Sequence, residues 1–186
     1  FDSLANVENM NTYGAELARV NLRLARSGVG SNDQAALLDQ RDNLLEKMSA
    51  FASLDTKFAS DGTVAVAIGP TPGTAFVNGG TVGTMTSTVG ADGTLSFAID
   101  GQAITPGSGS LTGAALALSD LAAIQTRLDD AANAIATTMN AAQMNGAALD
   151  GSAGQPMFSG TTASTLSVVL TSGAGLATAP AGSAAN

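Results

Sequence analysis

Asp39, Asp42 and Glu46 fall within two turns of one helical segment, and a pair of carboxylates is the one acid–base device this sequence can assemble near neutral pH. The 186 residues hold no His, no Cys and no Trp, so there is no imidazole base and no thiol nucleophile. A zinc site built from carboxylates alone would run against the metal's preference for nitrogen and sulfur. Paired acids need a walled cleft, yet aromatic residues are 4% of the chain and Arg41 and Lys47 flank the cluster. The three acids therefore read as a solvated helix face. The Asp-Gly pairs at 61, 92, 100 and 150 lack the alternating acidic spacing of a calcium loop and read as turns. Gly28, Gly30, Gly79, Gly80 and Gly83 form no phosphate-binding pattern. No catalytic, cofactor-binding or metal-binding residue is assigned, and the sequence points away from an enzyme.

The elements that carry these residues follow from periodicity. From Leu4, the residues Val7, Met10, Tyr13, Leu17, Val20 and Leu24 recur at intervals of three and four, one stripe of a helix ended by Gly28 and Gly30. Ser31-Asn32-Asp33-Gln34 has the form of a capping box. A second helix follows, with Leu37, Leu38, Leu44, Leu45, Met48 and Phe51 on its buried side. After Leu54 the period becomes two. The segment Asp61 to Ile68 is echoed by Asp92 to Ile99, each a strand entered through an Asp-Gly turn. Helical spacing returns after Pro106, where Leu116, Leu121, Ile124, Leu128, Ile135 and Met139 form the longest apolar stripe, expected in the core, and Asn145-Gly146 stops it. Asp120, Asp129 and Asp130 lie off that stripe, toward solvent or another chain. Residues 166–170 read as one more strand, and the Gly, Ala, Ser and Thr tail from Thr171 as partly mobile.

The expected fold class is α+β, an antiparallel helical bundle carrying a small antiparallel β subdomain. Residues 1–54 and 106–158 form the helical domain, 55–105 an inserted β-hairpin subdomain, and 159–186 a strand plus a low-complexity tail. Much of the 45% hydrophobic content is Ala, so the helices should approach closely. A net charge of −8 disfavours nucleic acid and anionic membranes as partners. No run reaches the length of a transmembrane helix, and no signal peptide is visible at Phe1.

The run Leu37-Leu38-Asp39-Gln40-Arg41-Asp42-Asn43-Leu44-Leu45, followed by Met48-Ser49, resembles the best-marked stretch of the flagellar hook-associated protein 1 family, the first junction proteins between hook and filament. Two further stretches agree. The Asp61-Gly62-Thr63 strand and Gly69 turn resemble that family's Gly-bounded hairpin. Leu128-Asp129 through Ala136 and Asn140 to Gly146, then Asp150-Gly151, Gly154 and Phe158, resemble its long helix and the Gly-rich loop ending in a Phe. Together these cover most of residues 4–158. Gln143-Met144 stands where the family often has a His, and residues 71–88 have no placed counterpart in this resemblance. The family's terminal heptad helices are seen at neither end, so the chain looks like a central part of such a protein.

The resemblance implies a structural subunit at the hook-filament junction that adapts the hook lattice to the filament, exported through the flagellar secretion apparatus and extracellular. It implies no cofactor. Its partners would be neighbouring copies, the hook protein and the second junction protein, and this piece alone would be monomeric. Arg41 falls on the apolar stripe of its helix. It either pairs with a carboxylate on the third helix or a neighbouring subunit, or lays its stem along the core with its head in water. Two rival functions remain: an extracellular adhesin or glycan-binding surface, for which the only Tyr is Tyr13 on the first helix, and a carboxylate hydrolase.

Overall fold

The computed structural model describes residues 2–27 and 31–182; Gly28 and Gly30, expected to end the first helix, lie outside the described residues. The chain is α+β. It divides into two compact units, one up to Leu121 and the other from Ala122.

In the first unit, α1 (Asp2–Leu24) and α2 (Asn32–Ser49) pack against each other through Met10, Leu17, Val20 and Leu24 on one side and Leu37, Leu44 and Met48 on the other, all buried. Leu4, expected to begin the stripe, is exposed. The α2 start is fixed by Ser31, whose Oγ accepts the Gln34 N–H at 3.1 Å and so satisfies an amide left orphaned at a helix end.

The alternating segment forms two antiparallel sheets. One has the order β1 (Leu54–Phe58), β2 (Val64–Ile68), β3 (Thr74–Asn78), β4 (Thr81–Val82). The other has the order β5 (Met85–Val89), β6 (Leu95–Ile99), β7 (Gln102–Ile104). The echoed segments take equivalent places, β2 pairing with β1 and β6 with β5. Val64, Val66 and Ile68, and likewise Leu95, Phe97 and Ile99, turn inward.

These inward residues join the core of α1 and α2, so the strand segment shares one interior with the helices. Each large side chain fully buried there contributes about 1.5–3 kcal/mol. Helix and strand approach each other closely. A Cβ on Gly14 would stand 2.7 Å from the Phe76 ring and one on Gly80 2.6 Å from Leu22, so β3 and the turn after it lie directly on α1.

α3 (Gly109–Met144) begins against the end of α2. The Ser110 and Leu111 N–H groups donate to the Ala50 and Phe51 carbonyls at 3.0 and 3.1 Å, pairing the orphan groups of two helix ends. Leu111 is fully buried, but the stripe expected to be core is not. Leu116, Leu121, Ile124, Leu128, Ile135 and Met139 are all exposed, between 42% and 60%. The buried face of the later part of α3 consists of Ala132, Ala136 and Gln143. The second unit's loops are Gly-, Ala- and Ser-rich, and such backbone packs closely against small side chains and amides, leaving the large residues uncovered.

The second unit adds β8 (Gly146–Ala148), β9 (Phe158–Ser159), β10 (Ser167–Val168) and β11 (Ala177–Pro180), with β9 paired to β10 and β8 to β11, both antiparallel. The tail after Thr171, expected to lack anchors, is thus pinned as far as β11. Asp129, expected to face solvent or another chain, is half-buried and accepts the Ala163 N–H at 2.8 Å.

Candidate functional site

Arg41 is where the sequence left two readings open. Its side chain is 12% exposed, and its partners lie on its own chain, not on α3. The guanidinium meets Asp42 Oδ1 through Nε at 2.8 Å and through its second terminal nitrogen at 2.7 Å, and its first terminal nitrogen donates to the Gly62 carbonyl at 2.6 Å. The same group lies 4.8 Å from the centre of the Phe58 ring. Arg41 therefore ties α2 to the β1–β2 hairpin, whose turn contains Gly62 at φ +86°. Leu38 also covers that turn, since a Cβ on Gly62 would stand 2.9 Å from it. Of the neighbouring motif residues, Leu37 and Leu44 are core, while Asp39, Gln40 and Asp42 face solvent.

Three of the four Asp-Gly segments are turns with a shared construction, while at the fourth Asp100 Oδ1 accepts the Thr84 N–H at 2.8 Å. Asp61 Oδ1 accepts the Thr63 N–H at 3.0 Å and the Thr63 hydroxyl at 2.7 Å, and Asp92 treats Thr94 in the same way at 3.0 and 2.8 Å. Asp150 Oδ1 accepts the Ser152 N–H at 2.9 Å, with Gly151 at φ +79°. These bonds favour the charged carboxylate and hold all three acids below their ordinary range. The Thr63 amide then hydroxyl act on Asp61, the Thr94 hydroxyl then amide on Asp92, and the Ser152 hydroxyl then amide on Asp150.

Side-chain amides carry the longer-range fastening. Asn140 Oδ1 accepts the N–H groups of Met157 and Phe158 at 2.8 and 2.9 Å while its Nδ2 donates to the Phe158 carbonyl at 2.8 Å. Asn140 and Phe158 are thus one structural unit, the amide standing where a strand's peptide group would. Gln143 does the same for the tail: Oε1 accepts the Ala177 N–H at 2.8 Å, and Nε2 donates to the Gly175 carbonyl at 3.0 Å. Gly154 is required because a Cβ there would fall on the Gln143 carbonyl, and a Cβ on Gly146 would stand 2.6 Å from Ala177.

Sequence reasoning missed two further members of this set. Asn21, 1% exposed, donates to the Val64 and Gly79 carbonyls at 2.8 and 3.0 Å and accepts the Val64 N–H at 3.0 Å. Asn11 exchanges both bonds with Met85, at 2.8 and 2.9 Å. The available signal was position. Asn21 sits four residues after Leu17 and three before Leu24, inside the buried arc, where an amide must find partners.

The surface hollows offer little chemistry. One apolar hollow of about 270 Å³ is lined by Ser3, Leu4, Ser87, Val89, Leu95 and Leu118, with no ionisable group among them. Among the described residues, no three acids gather as a metal would require, and no helix is long and apolar enough to cross a membrane.

The family model described as "Flagellar hook-associated protein FlgK helical domain" matches residues 2–158. The flagellar hook junction protein FlgK from Burkholderia pseudomallei has a similar fold, with a TM-score of 0.67 and 22% identity, over 85% of this chain and 30% of that one. The chain thus spans less than a third of that protein's length. No curated protein matches. With 157 consecutive residues matched in one piece, the chain belongs to the FlgK helical-domain family of flagellar hook-associated proteins.

Proposed function

We propose that this chain is a structural subunit of the bacterial flagellum at the hook-filament junction, where it adapts the hook lattice to that of the filament. The observation that carries this reading is the family match over residues 2–158. The geometry is in keeping with it. Helices are fastened to strands by Arg41, Asn11, Asn21, Asn140 and Gln143, a construction that holds shape. The large apolar residues of α3 remain open for neighbours.

The partners proposed are neighbouring copies of the chain, the hook protein and the second junction protein, reached after export by the flagellar secretion apparatus. Leu37, Leu38, Asp39, Gln40, Arg41, Asp42 and Leu44, with Asn140, Gly146, Asp150, Gly151, Gly154 and Phe158, serve as structural family-motif residues. The rival glycan-binding reading lacks a platform. Phe58 is the exposed large aromatic among the described residues, and Arg41 already covers one face of its ring.

The test is genetic and visual. Deleting the gene should leave hooks without attached filaments by electron microscopy, and re-expression should restore them. Filaments attached normally in the deletion strain would refute the reading.

A further inference from the structure

The chain has seven Lys and Arg residues against fifteen acids. Arg41 is held by Asp42 and Gly62, and Lys47 lies 5.6 Å from the centre of the Tyr13 ring. Three of the remaining cations stand together. Arg19, Arg23 and Arg26 are all exposed and, among the described residues, make no side-chain hydrogen bond or ion pair. They occupy i, i+4 and i+7 on the side of α1 opposite Leu17, Asn21 and Leu24. Beyond α1 the path keeps one helical bond, the Ala25 N–H donating to the Asn21 carbonyl at 2.9 Å, and then tightens, the Arg26 N–H donating to the Arg23 carbonyl at 3.1 Å, so Arg26 stands in the turn that ends the stripe.

On α2, Asp39, Asp42 and Glu46 are exposed on the side opposite Leu37, Leu44 and Met48. Reading α1 forward, the cations are spaced by four and then three residues. Reading α2 backward from Glu46, the acids are spaced by four and then three. At 1.5 Å per residue both stripes step about 6 Å and then about 4.5 Å, the second step on the α1 side being somewhat longer because the turn at Arg26 is tighter. Laid antiparallel, they match in sign and in interval at all three positions.

We propose that the Arg19, Arg23 and Arg26 stripe of one copy docks on the Glu46, Asp42 and Asp39 stripe of a neighbouring copy, helix against helix and antiparallel. The occupant is a second copy because the chain itself carries the complement: a chain of net charge −8 repels itself unless its few cations meet its acids at the contact. Asp42 can serve both contacts, since Arg41 uses Oδ1 and the Asp42 side chain is 60% exposed. The inference rests on the proposed assembly role and names a contact within it. Exposed ion pairs are weak singly, so the contact is transient between free copies and becomes lasting when a lattice holds many copies together.

The chain has no Cys, so a disulfide trap reports one contact only. Three residues further along the same alignment, Glu16 faces Ser49, both exposed. Glu16→Cys protein mixed with Ser49→Cys protein under mild oxidation at low salt should give the mixed dimer in excess over either homodimer. Adding Arg19→Glu and Arg26→Glu to the first protein should cut that yield about fivefold or more. Adding Asp39→Arg and Glu46→Arg to the second should restore it, with Arg41 and Asp42 untouched.

A yield indifferent to these reversals and to salt would overturn the proposal. So would loss, on reversal, of binding to DNA or to anionic vesicles with cross-linking unchanged, which would assign the stripe to an anionic ligand. Failure here, with filaments still lost in the deletion strain, sinks the docking alone. Attached filaments in that strain would sink the assembly role and leave the cross-link to stand as a property of the chain.

Discussion

Replacing Asn21 by Leu tests whether the amide fastenings hold the fold. The substitution preserves bulk and even adds apolar burial, so a purely hydrophobic account predicts little loss. The structure predicts otherwise. The Val64 N–H, the Val64 carbonyl and the Gly79 carbonyl all lose their side-chain partner at a residue 1% exposed. Gly79 is exposed and its carbonyl can turn to water, so two buried orphans remain at about 1–3 kcal/mol each, and the extra apolar surface of Leu returns about 1 kcal/mol. The net loss is about 3 kcal/mol, which for a chain of this size lowers the melting temperature by about 6–12 °C. Thermal unfolding followed by circular dichroism gives the magnitude. Amide hydrogen exchange gives the place, because the Val64 N–H should lose protection before the centre of β2. A melting temperature within 2 °C of the parent, with Val64 still protected, would show that the amide is incidental.

Arg41→Ala removes the Gly62 bond, the contact with the Phe58 ring and a largely exposed ion pair with Asp42. It should lower stability by about 1–2 kcal/mol, with the ion pair adding least; an unchanged melting curve would remove the proposed tie between α2 and the hairpin. Gly154→Ala places a methyl group on the Gln143 carbonyl, so the 152–154 segment should be pushed away from β8 at a cost of at least about 2 kcal/mol, seen as lost exchange protection at Ala148, whose N–H donates to the Ser152 carbonyl. Wild-type protection in that variant would contradict the steric argument. Asp61, Asp92 and Asp150 have folded-state pKa values below the ordinary 3.8, so their turn bonds contribute fully above the unfolded value and are lost as pH falls through the lowered one. The amide shifts of Thr63, Thr94 and Ser152 should titrate with midpoints below pH 3.8; midpoints at or above that value would show that the bonds do not form.

Period alone located the main helices and strands, because α1, α2, β2 and β6 each bury one regular face. The same reasoning misplaced the α3 stripe. Periodicity reports that Leu121, Ile124, Leu128 and Ile135 share a face, but not whether anything covers it. The Asp-Gly turns were readable because the residue pair itself dictates a backbone conformation. The tail was not, since Ala177 is held by the amide of Gln143, and such a bond leaves no trace in hydrophobicity. Arg41 could be placed on the buried arc of α2, yet its acceptor is a backbone carbonyl in the Asp61-Gly62 turn, and carbonyls are everywhere in a sequence. Asn21 was hidden for the opposite reason: among apolar neighbours it reads as a flaw in the stripe when it is the stripe's main polar fastening.

The assembly role is tested most directly by locating the protein on the cell. Immunogold labelling of intact flagella against this chain should place gold in a single narrow band where hook meets filament. Gold spread along the filament, or confined to the cell body, would contradict it.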